Sequence, residues 1–207
     1  MTGSATPGVV GILLAAGSGT RFGGGKLLAR VRSRADASAG PSAPDAAGEY
    51  LGVLACRNLL AVVPQVVAVV RPDDAALAVA LGAAGARIVR CANADAGMGA
   101  SLACGVLATR DAAGWIVALG DMPWIDPVTI ARVAGAIANG AAVAAPFHRG
   151  QRGHPVGFGP ACFTALAVLT GDDGAKSVVA AHREGLTRID VDDPGALADV
   201  DRPEDLE

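Results

Sequence analysis

The chain has 207 residues, a formal net charge of -3, and a composition that is 52% hydrophobic but only 3% aromatic. This length suffices for one sizeable hydrophobic core and is short for two, so we expect a single domain over residues 1–207. The net charge argues against broad nucleic-acid binding. An interior built from Ala, Val, Leu and Ile suits a parallel sheet that helices cover on both faces.

The first predicted element is an apolar strand over residues 9–15, and a glycine-rich segment, LAAGSGTRFGGGK, overlaps its end. Gly17 and Gly19 allow the backbone to turn sharply, with its N–H groups pointing at an anion. Arg21 and Lys26 add positive charge just beyond the turn. The segment therefore predicts a binding site for a polyphosphate.

Two better-known phosphate loops do not fit this segment. The Walker loop needs Ser or Thr after its lysine, whereas Leu27 follows Lys26, and Thr20 stands where the first glycine should be. The dinucleotide fingerprint needs a glycine at its sixth place, which is Phe22 when counted from Gly17. A different class of nucleotide-binding loop is therefore expected.

Residues 33–48, with the sequence SRADASAGPSAPDAAG, show no hydrophobic periodicity and are rich in Ala, Ser, Pro and Gly. We interpret them as a flexible insertion that the fold tolerates. Ordering of this insertion over a bound substrate is the alternative.

Apolar strands and Ala-rich helical stretches alternate along the rest of the chain. Asp73 and Asp126 are predicted helix caps, with Pro127 in the first position of its helix. The alternation predicts an α/β fold with a doubly wound, mostly parallel sheet, whose functional loops gather at the carboxyl ends of the strands. The predicted strands are 66–70, 87–91, 115–119 and 141–145, and the predicted helices are 52–62, 73–82, 99–109 and 127–139.

Candidate metal ligands lie in two acidic segments. Asp121 directly follows the strand 115–119, where its carboxylate could bind the magnesium ion that accompanies a nucleoside triphosphate. A turn cap is the alternative role for Asp121. Asp199 and Asp201 alternate along an extended tail and so face the same side. Of these two, we predict Asp201 as the second metal ligand.

The four cysteines form neither a CxxC pair nor a Cys/His cluster, which indicates reduced and mostly buried thiols. The apolar amino-terminal segment lacks the basic region of a secretory signal and leads directly into the glycine-rich loop. No apolar run reaches the roughly 20 residues needed to span a bilayer. We therefore expect a cytoplasmic protein with no membrane partner and no nucleic-acid partner.

Four blocks resemble the MobA-like NTP transferase superfamily and occur in its order: LAAGSGTRFGGGK, GMGASL at 97–102, GDMPWI at 120–125 and GHPVGF at 153–158. The chain looks most like the molybdenum cofactor cytidylyltransferases of that superfamily. It departs from them in the insertion and at residues 18–21, which resemble sugar-phosphate nucleotidyltransferases equally well. The resemblance implies a Rossmann-like fold and magnesium-dependent transfer of CMP from CTP to the terminal phosphate of molybdopterin or molybdenum cofactor, with release of diphosphate.

The resemblance also implies roles for individual residues. Arg21 and Lys26 would stabilise the charge that develops on the leaving diphosphate, and Asp121 and Asp201 would hold Mg²⁺. The implied nucleotide-binding residues are Leu14, Ala15, Ala16, Gly17, Ser18, Gly19, Thr20, Gly97, Met98 and Ser101.

For the acceptor, the resemblance implies binding by His154 and Lys176. Purely structural roles explain these two side chains nearly as well, with Asp172 and Asp173 capping the helix that carries Lys176. A molybdoenzyme or its chaperone would be the protein partner that receives the product. Two other functions remain open: a transferase that uses GTP or a sugar phosphate, and a nonenzymatic nucleotide- or cofactor-binding module.

Overall fold

The computed structural model describes residues 8–17, 19, 22–31 and 48–206. Three residues predicted to bind phosphate, Ser18, Thr20 and Arg21, lie outside the described residues. The predicted insertion 33–48 also lies outside them, except for Gly48.

The fold centres on an eight-stranded, mostly parallel sheet with the order β10-β7-β9-β6-β1-β4-β5, and with β8 paired to β7. Strand β9 runs antiparallel to both of its neighbours, and β2 and β3 form a separate antiparallel ribbon. The predicted Rossmann-like fold class is confirmed. The strands are β1 (Val9–Leu14), β2 (Arg30–Val31), β3 (Glu49–Tyr50), β4 (Val66–Val70), β5 (Arg87–Arg90), β6 (Gly114–Leu119), β7 (Val143–His148), β8 (Gln151–Arg152), β9 (Val156–Phe158) and β10 (Leu186–Asp190).

Within the described part of the chain, six α-helices cover the two faces of this sheet: α1 (Leu51–Leu60), α2 (Ala75–Ala83), α3 (Met98–Leu107), α4 (Pro127–Ala138), α5 (Phe163–Ala167) and α6 (Lys176–Ala181). Alternate residues of β1 point to opposite faces, as the two-residue period of a strand requires. Leu13 packs with buried residues of α1, α2 and α4, whereas Ile12 packs with those of α3, α5 and α6. Both faces of β1 are therefore buried, which explains its continuous apolar sequence.

The helix caps agree only partly with the predictions. Asp126 caps α4 as expected, because its carboxylate accepts a hydrogen bond from Val128 N at 2.8 Å. The predicted cap Asp73 is wrong. The cap is Asp74, whose carboxylate accepts a hydrogen bond from Leu77 N at 3.2 Å, and α2 begins at Ala75. Asp172 and Asp173 do not cap α6, which has no side-chain cap. Where two aspartates are adjacent, the sequence alone does not show which of them caps the helix, or whether either does.

None of the helices described here is long and apolar enough to cross a membrane. All four cysteines are free, and three of them are buried, as predicted.

Candidate active site

A cavity of about 440 Å³ opens at the carboxyl edge of the sheet. It lies where the chain switches direction across the sheet, because β4 flanks β1 on one side and β6 flanks it on the other. Ligands of doubly wound proteins bind in this crevice. The residues that line it include ten of the predicted site residues: Leu14, Ala15, Ala16, Gly17, Gly19, Lys26, Gly97, Met98, Ser101 and Asp121.

The glycine-rich turn supplies unpaired backbone donors to the cavity. The N–H groups of Ala16, Gly17 and Gly19 donate to no residue among those described. A Cβ atom built on Gly17 would meet no atom of the described residues within 4 Å, so none of those residues packs against the turn at this point. Such amides can bind an anion, which is the chemistry predicted for this segment.

Lys26 joins the two predicted metal ligands. Its Nζ lies 2.7 Å from Asp121 Oδ2 and 3.6 Å from Asp201 Oδ1. The lysine side chain is only 12% exposed, against 24% for Asp121, so solvent screens this pair less than a surface ion pair. One ammonium group therefore sits between two carboxylates, in the way that a bound cation would.

Packing next to the pair fixes its position. Lys26 begins a short 3-10 helix whose preceding residue, Gly25, has φ 63°, a left-handed conformation that favours glycine. Leu27 then packs against Gly120, where any Cβ would come within 3.1 Å of its side chain. Because these contacts involve the direct neighbours of Lys26 and Asp121, they hold the two charged groups at the same place.

The segment after β10 completes the site. Val200 N donates to Asp121 O at 2.9 Å, which brings the neighbouring Asp201 towards Lys26. The same segment is anchored by the buried Asp193, which accepts hydrogen bonds from Thr129 Oγ1 at 2.8 Å and from Asp126 N at 2.9 Å. These bonds tie the acidic tail to the start of α4.

On the other side of the cavity, Gly97 and Gly99 allow two backbone segments to touch. Gly99 N donates to Gly171 O at 2.8 Å, and Gly171 N donates to Ala96 O at 2.7 Å. A Cβ on Gly97 would lie 2.4 Å from Gly171 C, and one on Gly99 would lie 2.6 Å from Thr170 O. Gly97 was predicted to bind the nucleotide; the structure shows in addition that the packing of segment 170–172 leaves no room for a side chain at Gly97 or Gly99.

Ser101 is buried at the cavity wall, and its hydroxyl donates to Gly97 O at 3.5 Å. That hydroxyl therefore already has a backbone partner, at the residue that precedes α3. Met98, at the first position of the helix, is partly exposed and lines the cavity beside it.

Sequence reasoning missed a charged pair in the cavity, Arg71 and Asp95. Arg71 Nη2 donates to Asp95 Oδ1 at 2.5 Å, and this bond and the charge of Asp95 raise the pKa of the guanidinium. The available signal was position: Arg71 directly follows β4, so it lies at the same sheet edge as Asp121. Asp74 and Asp172 also line the cavity and were not predicted to bind substrate.

Three of the predicted site residues that the structure describes do not line the cavity: Asp201, which contacts Lys26 at its edge, His154 and Lys176. Lys176 is 71% exposed and pairs with Asp173 Oδ1 at 3.3 Å, in accord with a solvated helix face. His154 N donates to Ala196 O at 2.9 Å, and Nδ1 is the one buried side-chain nitrogen or oxygen of the described residues without a hydrogen-bond partner. Burial and then the charge of Arg152 lower the pKa of His154 to about 4, against the opposing charge of Asp121.

This shift predicts a pH dependence of stability. Below pH 6.5 an unfolded chain protonates His154, whereas the folded protein resists protonation down to about pH 4. The free energy of unfolding should therefore fall as the pH decreases through this window, by up to about 2 kcal/mol from this residue after allowance for its partial exposure. Urea unfolding of wild type and His154→Gln at pH 8 and pH 4.5 measures it. An equal loss in both proteins would contradict the prediction.

Asp121 and Asp201 are the two carboxylates that Lys26 contacts at this site. No group of three or more His, Cys, Asp or Glu side chains within the described ranges could hold a metal ion. Carboxylate oxygens suit Mg²⁺, which binds through one or two of them together with substrate phosphates. The donor set of Asp121 and Asp201 thus fits such an ion in the presence of a nucleotide.

Comparison with known sequences gives one family. The MobA-like NTP transferase domain matches residues 11–186. No curated protein matches the chain.

Solved structures share the fold over nearly the whole chain. Rv0371c from Mycobacterium tuberculosis is 25% identical, with a TM-score of 0.73 over 96% of this chain and 95% of that one. A structure of Rv0371c in complex with manganese is 23% identical, with a TM-score of 0.64 over 89% of this chain and 88% of that one. A nucleotidyl transferase from a Methanothermobacter species is 22% identical, with a TM-score of 0.75 over 95% and 93%. The 4-diphosphocytidyl-2C-methyl-D-erythritol synthase of Anaerococcus prevotii is 12% identical, with a TM-score of 0.70 over 98% and 96%.

Proposed function

This chain belongs to the MobA-like NTP transferase family, and from that premise we propose that it transfers CMP from CTP to the terminal phosphate of molybdopterin or of its molybdenum-loaded form. The observation that carries the proposal is the position of Lys26 and Asp121, 2.7 Å apart in the cavity that the glycine-rich turn borders. The motifs LAAG, GMGASL and GHPVGF together support the cytidylyl branch. The nonenzymatic alternative is not retained, because the family is one of nucleotidyltransferases.

In this reaction an oxygen of the acceptor phosphate attacks the α-phosphorus of CTP, and the bond from that phosphorus to the bridging oxygen of the diphosphate breaks. The amides of Ala16, Gly17 and Gly19 would bind the β- and γ-phosphates. Lys26, with Arg21, would offset the negative charge that grows on the leaving diphosphate. No general base is required, since a phosphate monoester is already largely ionised at neutral pH.

Asp121 and Asp201 would hold the divalent ion, and Lys26 Nζ marks the place where both carboxylates face a cation. When bound, the ion would supply charge neutralisation at the α-phosphate and at the attacking oxygen. The manganese complex of Rv0371c supports use of a divalent cation by a structurally similar protein.

The acceptor would bind on the side of His154, whose backbone is paired with the segment that carries Asp201. With a pKa of about 4, the imidazole is neutral at pH 7 and would contribute a hydrogen bond rather than a positive charge. Lys176 would reach the acceptor only by leaving Asp173, and its exposure leaves it free to do so.

The test is diphosphate release from CTP, GTP, ATP and UTP with Mg²⁺ or Mn²⁺, with and without molybdopterin. We expect release from CTP that requires both molybdopterin and the metal, and that stops when the metal is chelated. Preference for GTP would assign the chain to the guanylyl branch. Release that depends on a sugar phosphate instead of molybdopterin would contradict the proposal that molybdopterin is the acceptor.

A further inference from the structure

We propose that Arg71 and Asp95 together select cytosine, by presenting to the nucleotide the same order of hydrogen-bond donors and acceptors that guanine presents to cytosine in a base pair. This inference rests on the proposed function and deepens it, because it names the residues that determine which nucleotide is used.

The position of the pair points to the base. The triphosphate end of the cavity is given by Gly17, Gly19 and Lys26, which follow β1. Arg71 and Asp95 line the same cavity beyond the carboxyl ends of β4 and β5, on the side of the sheet away from β6. The rest of this cavity lies on the side of β4 and β5, so a nucleotide whose phosphates lie at the glycine-rich turn and at Asp121 has room for its base towards Arg71.

The contacts within the pair leave the required groups available. Arg71 Nη2 donates to Asp95 Oδ1 at 2.5 Å, and Arg71 Nε lies 3.7 Å from Asp73 Oδ1. Among the described residues, neither Arg71 Nη1 nor Asp95 Oδ2 has a hydrogen-bond partner. The Arg71 side chain is 26% exposed and the Asp95 side chain is 84% exposed, and the bond between them orients the remaining N–H groups of the guanidinium.

The hydrogen-bonding groups of the two pyrimidine bases then determine which of them the pair prefers. Cytosine carries two adjacent acceptors, O2 and N3, followed by the N4 amino donor. The guanidinium offers two adjacent N–H donors to the first two, and the free carboxylate oxygen of Asp95 accepts from the amino group. Uracil has N3–H and O4 at the last two places, so each would meet a group of the same kind.

With uracil, a donor of the base would face the guanidinium and an acceptor would face the carboxylate, and sites that bind by hydrogen bonds reject a ligand whose groups do not pair with theirs. One well-aligned bidentate pair typically gives discrimination of about 1–3 kcal/mol, which corresponds to about 5- to 150-fold in affinity.

The experiment is calorimetric titration of the full chain with CTP, with UTP and with GTP, in Mg²⁺ and without an acceptor. We expect wild type to bind CTP about 5- to 150-fold more tightly than UTP. In Arg71→Gln the affinity for CTP should fall until CTP and UTP bind about equally. In Asp95→Asn the ratio should also fall, here because the amide N–H₂ can donate to uracil O4 and UTP binds more tightly.

Two further variants separate recognition from folding and from charge. Arg71→Lys keeps the positive charge without the planar fork, so it should lose the preference for CTP while it still binds triphosphate. Arg188→Gln removes an arginine that pairs with Asp190 at 2.8 Å on β10, outside the cavity, and should bind CTP and UTP as wild type does.

The outcomes distinguish this inference from the proposed function. A wild type that binds no nucleoside triphosphate would contradict the proposed function itself. A wild type that prefers CTP, together with an Arg71→Gln variant that folds and keeps the preference, would overturn only the inference. A wild type that prefers GTP would overturn the choice of CTP and the inference together.

Discussion

Replacement of Lys26 by methionine should lower the rate of diphosphate release from CTP by about 10²- to 10³-fold, the usual effect of removing one group that stabilises developing negative charge. Methionine keeps much of the apolar stem but removes the ammonium that lies 2.7 Å from Asp121. The reduction should appear in kcat, because charge on the diphosphate develops in the transition state. Steady-state kinetics with CTP and molybdopterin measures it.

Metal binding separates this effect from simple damage to the site. In Lys26→Met no ammonium competes for the two carboxylates, so Mn²⁺ should bind in the absence of nucleotide at least as tightly as in wild type. Arg57→Gln removes an exposed arginine that pairs with Glu49 outside the cavity, and it should leave both rates and binding unchanged. Wild-type turnover in Lys26→Met would show that this lysine has no role in the chemistry.

Replacement of Asp121 by asparagine should decrease turnover by about 10³-fold or more, because several kcal/mol of metal-dependent charge stabilisation would be lost. Asparagine is nearly isosteric and does not disturb the backbone bond from Val200 N to Asp121 O at 2.9 Å. Mn²⁺ binding should weaken in this variant, which is the opposite of the result expected for Lys26→Met. Titration of activity with Mn²⁺ measures both effects.

A matched control comes from the same acidic tail. Asp199 is exposed and two residues from Asp201, so Asp199→Asn changes the local charge equally without touching Lys26. It should retain wild-type turnover and metal binding. If Asp199→Asn lost activity and Asp201→Asn did not, the assignment of the second ligand would have to be exchanged.

The positions of the central strands could be predicted from the sequence because each strand is a continuous apolar run between polar turns. Residues 66–70 were predicted with the bounds of β4, and 115–119 lies within β6. Strand β9 was not predicted, since its three residues contain a glycine and no alternation can be seen over so short a run. Its antiparallel pairing with β6 and β7 is set by tertiary contacts.

Some residues of the candidate site could likewise be predicted from the sequence, and others could not. The glycine-rich turn and Asp121 could be predicted, because each follows directly from a strand end and such ends meet at one edge of a parallel sheet. The pair of Arg71 and Asp95 could not, because it joins residues 24 positions apart and neither belongs to a recognised motif. The contact of Asp201 with Lys26 likewise depends on how the segment after β10 packs on the Asp121 loop.

The glycines around the cavity have a consequence for how selection acts on this chain. Gly97 and Gly99 would be retained by selection for folding alone, because a side chain at either would collide with the backbone of segment 170–172. Gly17 is different, since a methyl group there would meet no atom of the described residues within 4 Å and would lie beside the cavity. Invariance at 97 and 99 among relatives would therefore carry no information about substrate, whereas invariance at 17 would report on a ligand.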